Sequence, residues 1–257
     1  MKYKVSFLLL IILTTCLYAR GSTSCATAPR NIDGLYKFEG KLNGKISVFL
    51  WFVVKDSVLK GEVTYLNTAK RLPIVVLGEI TKDNGLSMYE FTESGDITGI
   101  YTGSFNTGLL MGTWTKPGLE KELKYLLTPK DTILKSIDTS MNPVAVTGEY
   151  AYQFGKSGAT GDIDIKHLEG RNYLMAITCV TGPPAYNVAE VDATKVQMFN
   201  NTIIYNVRDG DCKFKIRAFR DFIVIDWISR DIQSCGFGLN ASIDGVFIKT
   251  SEKTKFN

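Results

Sequence analysis

One histidine, His167, serves the whole chain of 257 residues, so any Ser-His-Asp or Cys-His arrangement must be built on it. Asp164 lies an odd number of positions away, which puts the two on opposite faces of a regular strand. No Gly-x-Ser-x-Gly elbow is present either, and His167 reads as a solvated strand-end residue. Metal donors are equally scarce: five cysteines include no Cys-x-x-Cys pair, which leaves a zinc site without its usual spacing. Asp209-Gly210-Asp211 lacks the spread of oxygen ligands that a calcium loop needs and reads as a turn. Long helical patterns are missing, and with them the glycine-rich phosphate cradle that opens a helix. Asp162 and Asp164 share a strand face, as paired glycosidase carboxylates could, but beside Lys166 they read as a polar outer surface. No catalytic residue, metal or cofactor is expected.

An excess of one charge is lacking too. The formal net charge is +4, but Lys2, Lys4, Arg20 and Arg30 stand in the first 30 residues without an acid, leaving 26 basic against 26 acidic side chains. That balance gives no electrostatic footprint for nucleic acid. Lys213, Lys215, Arg217 and Arg220 alternate with apolar residues, as the wet face of a strand does.

The longest apolar run comes at the start. Lys2 and Lys4 precede Val5 to Leu13, and small and polar residues return between Thr14 and Ser24. This order is that of a secretory leader, taken as residues 1–26; the run is short of the ~20 apolar residues of a transmembrane helix. Ala19 with Gly21, or Ser24 with Ala26, suit a signal peptidase. Leu13-Thr14-Thr15-Cys16 resembles a relaxed bacterial lipoprotein box, which implies acylation of Cys16 and membrane contact through a lipid anchor alone. The expected location is the periplasm, a lipid-anchored place at the outer membrane, or the exterior. Export permits disulfides. Cys212 and Cys235 flank a plausible strand pair and are the expected bridge.

What remains reads as all-β, in two antiparallel domains. From Gly34 to Thr128, short apolar segments alternate with turn signals such as Asn43-Gly44, Asp83-Asn84-Gly85 and Asn106-Thr107-Gly108. Such spacing predicts a sandwich or barrel, and the tight turns favour an eight-stranded up-and-down barrel over residues 27–129. A linker follows at 130–145, then a second barrel or a sandwich at 146–251 and a tail at 252–257. The second half restarts with an echo, Gly34-Leu35-Tyr36 against Gly148-Glu149-Tyr150. It includes candidate strands at Ala185–Val191 and Lys195–Phe199. Ile46–Val54 and Phe222–Ile228 are apolar on both faces and need cover on both; they, or the faces beside them, are expected to pack the halves together. Several strands are too short to span a membrane.

Two resemblances bear on function. Gly112-Thr113-Trp114 is similar to the Gly-x-Trp signature of lipocalin- and avidin-type barrels. Cys212 to Arg217, Cys235 to Asn240 and Asp244 to Lys249 resemble the small C-terminal β domains of exported bacterial proteins and lipoproteins, some of them lysozyme inhibitors. The expectation is a non-catalytic binding protein of the cell envelope or exterior. A small apolar ligand could enter a barrel mouth lined by Tyr36, Phe38, Tyr89, Phe91, Tyr101 and Trp114, or these rings simply fill the core. The alternative is a protein–protein module, such as a hydrolase inhibitor, presenting a loop at Cys235–Asn240 to another envelope protein.

Overall fold

Strict alternation of side chains and hairpin turns with positive φ shape this chain. The structure, a computed structural model, describes residues 32–131, 140–143, 145–207, 212–229 and 233–256. The leader with Cys16, Cys25, most of the expected linker and the Asp209-Gly210-Asp211 turn lie outside the described residues.

The first eight strands are β1 (Gly34–Leu42), β2 (Ile46–Lys55), β3 (Val58–Tyr65), β4 (Pro73–Ile80), β5 (Gly85–Phe91), β6 (Asp96–Asn106), β7 (Leu109–Thr115) and β8 (Glu122–Pro129). Each pairs antiparallel with the next. β8 returns to β1, with Gly40 opposite Leu127 and Leu42 opposite Tyr125, so barrel 1 closes and keeps no sheet edge. Asp56 and Ser57 join β2 to β3 at φ 50° and 69°, the paired positive values that match hairpin twist. One face of each strand supplies the interior, where Phe38, Leu50, Phe52, Met88, Tyr101 and Phe105 are buried against one another.

Strands β9 (Gly148–Phe154), β10 (Thr160–His167), β11 (Asn172–Val180), β12 (Val188–Phe199), β13 (Thr202–Val207), β14 (Cys212–Phe219), β15 (Phe222–Trp227) and β16 (Gly245–Ser251) repeat the plan. β9 pairs with β10 on one side and β16 on the other, so the second half is a second eight-stranded meander that returns on itself, barrel 2. The two segments expected at Ala185–Val191 and Lys195–Phe199 are one strand, β12. Val191 lies opposite Ile177 and Thr194 opposite Met175, so Asp192 and Ala193 together face the single residue Ala176. This bulge shifts the inward face by one position. Ala189 and Val191 are buried before it, Val196 and Met198 after it.

Both barrels open with one device. Tyr36 Oη donates to the Ile32 carbonyl at 2.9 Å, and Tyr150 Oη donates to the Val146 carbonyl at 2.8 Å. Gly148 precedes its tyrosine by two residues, as Gly34 does, and has φ +148°. A Cβ on Gly148 would stand 2.3 Å from the Ser251 carbonyl oxygen, so glycine is required there.

The barrels pack side by side. Val58, Leu77, Phe91 and Ile97, on the outside of barrel 1, join the same apolar cluster as Phe222, Val224 and Val246 of barrel 2. The doubly apolar strands behave accordingly: Val53 of β2 packs on this cluster, while Phe222 to Ile225 of β15 are buried on both faces. A short parallel pairing, Asp96 with Gln153 and Ile97 with Phe154, stitches β6 to β9.

Candidate functional site

The six expected ligand-lining rings separate into two groups. Phe38 and Tyr101 are buried within barrel 1, and the partly buried Tyr36 and Trp114 pack against that interior. Tyr89 and Phe91 turn outward into the seam between barrels, where Tyr89 meets Phe154 edge-on at 5.8 Å. The interior of barrel 1 is occupied by its own side chains.

Among them stands a carboxylate. Glu90 of β5 is 2% exposed. Its Oε1 accepts hydrogen bonds from Tyr65 Oη at 2.5 Å and Trp114 Nε1 at 3.2 Å, and Oε2 accepts one from Thr98 Oγ1 at 3.3 Å. Gly99 makes the room, because a Cβ there would come within 2.5 Å of Glu90 Oε2 and of Trp114 Nε1. Burial raises the Glu90 pKa while its donors oppose that rise. Burial and the neighbouring Glu90 charge raise the hydroxyls of Tyr65 and Tyr101 as well. The signal for this cluster was present in the sequence, since Glu90 continues the inward positions Leu86 and Met88.

At the seam, Arg217 of β14 holds both barrels. It donates to Glu79 Oε1 of barrel 1 at 2.7 Å, to Asp226 Oδ2 at 2.8 Å and to the Asp56 carbonyl at 3.0 Å. Burial, then the nearby Asp226 charge, raises the Glu79 pKa, and Arg217 opposes both. A groove of about 340 Å³ beside this network is lined by Tyr89, Trp227 and Asp244. The basic residues expected on a wet face therefore include one that ties the halves together.

The remaining chemical candidates have structural employment. His167 is exposed at the end of β10, its Nε2 3.0 Å from the Gly170 carbonyl. Asp164 Oδ2 accepts the backbone N–H of Lys255 at 2.7 Å, and Asp162 lies 4.0 Å from Lys255 Nζ, so this pair fastens the tail. Cys179 is a buried thiol, pushed up to about 12 by burial. Among the described residues no cluster of His, Cys, Asp or Glu is arranged to hold a metal ion.

Barrel 2 has a fault in its wall. β12 and β13 pair only beside their turn, Met198 with Ile203 and Phe199 with Thr202, and then diverge. The loop after β15 enters the gap. The expected disulfide, Cys212–Cys235, anchors it, and Phe237 packs on the barrel core. Gly238 N–H donates to the Val188 carbonyl at 2.8 Å, and Asn187 Nδ2 donates to the Leu239 carbonyl at 2.6 Å. What is left open is a cleft of about 450 Å³, lined by Glu190, Asp192, Thr194, Tyr205, Gly236 and Phe237 among others. A second hollow of about 430 Å³ continues along Phe199 and Ile204. Apolar side chains crowd its surroundings, with Ile204 59% and Leu239 72% exposed. The cleft sets Glu190, Asp192 and Thr194 beside the rings of Tyr205 and Phe237, a concavity with both charged and aromatic lining.

The chain matches no protein-family profile, no curated protein and no solved structure.

Proposed function

We propose that this chain is a non-catalytic exported binding protein that recognises another protein through the open side of barrel 2. The carrying observation is the cleft between β12 and β13, with Glu190 and Asp192 on one wall and Tyr205 and Phe237 on the other. The lumen of barrel 1 favours this face over a small apolar ligand, because Phe38, Phe52, Tyr101 and Phe105 already occupy it. The disulfide supports the export that the leader implies. On this reading a lipid on Cys16 would hold the protein at the outer membrane, and without it the protein would work in the periplasm or outside the cell.

Mass measurement of the full-length protein from its own membrane fraction, native and then denatured, tests the reading. The expected result is a protein partner that is lost with Ala193→Arg, in the cleft, and kept with Met111→Arg, exposed on barrel 1. A small molecule retained equally by both variants would contradict it. A basic muramidase is the first partner to assay. Unchanged muramidase activity at micromolar protein removes that candidate.

A further inference from the structure

The backbone of the cleft suggests how a partner is held. A strand residue sends its N–H and C=O to the same edge, and successive residues alternate. Met198 N–H donates to the Arg171 carbonyl, so Met198, and Val196 with it, faces β11, while Lys195 and Gln197 face the gap. At the far end the Val188 carbonyl accepts from Gly238, so Val188 and Glu190 face the gap as well. Across it, Thr202 faces β12 in the hairpin, and Ile204 shares its edge. Met198 and Ile203 form a non-hydrogen-bonded pair, so the Gln197 carbonyl takes the Ile204 N–H, and among the described residues the ladder leaves the Glu190 and Lys195 main chains, the Gln197 N–H and the Ile204 carbonyl on the gap side. Barrel 1 has no counterpart, because its eight strands are paired on both sides.

We infer that the partner contributes an extended basic segment that adds to β12 as a strand; this rests on the reading that the cleft is the recognition face. Strand addition satisfies main-chain groups along an open edge and takes its specificity from alternate side chains. The side chains beside this edge define the occupant. Glu190 and Asp192 are exposed carboxylates on the cleft wall, and Tyr205 and Phe237 are half-buried aromatic residues lining it. Together they fit a lysine or arginine followed by an apolar residue. The bulge at Asp192-Ala193 and the charges of Glu190 and Lys195 are devices that keep an edge from pairing with its own kind. They select against a second copy and leave the edge to a segment of complementary charge.

The probe is a synthetic nine-residue peptide alternating lysine and valine, acetylated and amidated, added to the full-length protein while amide hydrogen exchange is followed. The expected result is at least tenfold slower exchange at Glu190, Lys195 and Gln197. That protection is lost when alternate backbone nitrogens of the peptide are methylated. Affinity falls about tenfold with glutamate in place of lysine, and severalfold in Glu190→Gln or Asp192→Asn. Equal binding by the methylated peptide overturns strand addition, and so does the absence of any protection. Protection that grows with protein concentration alone assigns the edge to a second copy and overturns the inference as well. If Ala193→Arg still removes the native partner while the peptide protects nothing, the recognition face stands and the strand mechanism falls. If Ala193→Arg changes nothing, both fall.

Discussion

Barrel 1 and barrel 2 share strand number, meander order and the opening tyrosine bond, yet differ in how the wall is completed. Barrel 1 is sealed by continuous ladders and spends its irregularity inside, on Glu90 and its donors. Barrel 2 breaks between β12 and β13 and completes the wall with a loop held by a disulfide. Closure by hydrogen bonds leaves nothing to bind a strand, whereas closure by a side chain such as Phe237 leaves a main-chain edge beside a cleft. Same topology and different sealing leave an open main-chain edge in one barrel and none in the other.

The largest loss of stability is expected inside barrel 1. Phe52 is fully buried against Phe38 and Phe105, so Phe52→Ala is expected to cost about 3–5 kcal/mol in denaturant unfolding. Replacing Cys212 and Cys235 together by serine opens a bridge spanning 23 residues in sequence and costs about 2–4 kcal/mol. The loss should appear as faster proteolysis of the β15–β16 loop before global unfolding. Arg217→Ala leaves Glu79 and Asp226 facing each other at the seam. With the pair only partly exposed, about 2 kcal/mol is expected, read as loss of a single cooperative transition for the two barrels.

Glu90 sharpens the contrast through pH. Its folded pKa is raised by burial, so its contribution is fully present below the unfolded value of about 4.3 and is lost as pH rises through the folded value. The difference in urea midpoint between the wild type and Glu90→Gln should therefore move against the wild type as pH is raised from 4 to 8. A flat difference would mean that the carboxylate is not buried. Asp162→Asn, with a largely exposed side chain, should shift stability by less than about 0.5 kcal/mol.

Turn chemistry was the most legible part of the fold, because Asn43-Gly44 and Asn200-Asn201 take positive φ wherever they occur. The face that points inward was less so. Alternation divides β5 into Met88 and Glu90 against Tyr89 and Phe91, and the second set is the more apolar. It nevertheless lies outside, because a second barrel covers it, and a strand pattern carries no record of such a neighbour. That is why two of the six expected lining rings are in the seam and why Glu90 passed unnoticed. The bulge in β12 hid for a related reason: Asp192-Ala193 looks like a strand end, although the register resumes one position over. The Cys212–Cys235 bridge was accessible from its position beside a strand pair, but the cleft it guards depends on where β12 and β13 part. No local pattern specifies that.

Native-state amide hydrogen exchange of the free protein, resolved along the two edges of β12, separates an open wall in barrel 2 from a closed one. Fast exchange is expected at Glu190, Lys195 and Gln197, slow exchange at Val196 and Met198, and protection on both edges throughout barrel 1. Equal protection on both edges of β12 would contradict this, because the wall of barrel 2 would then be as closed as that of barrel 1.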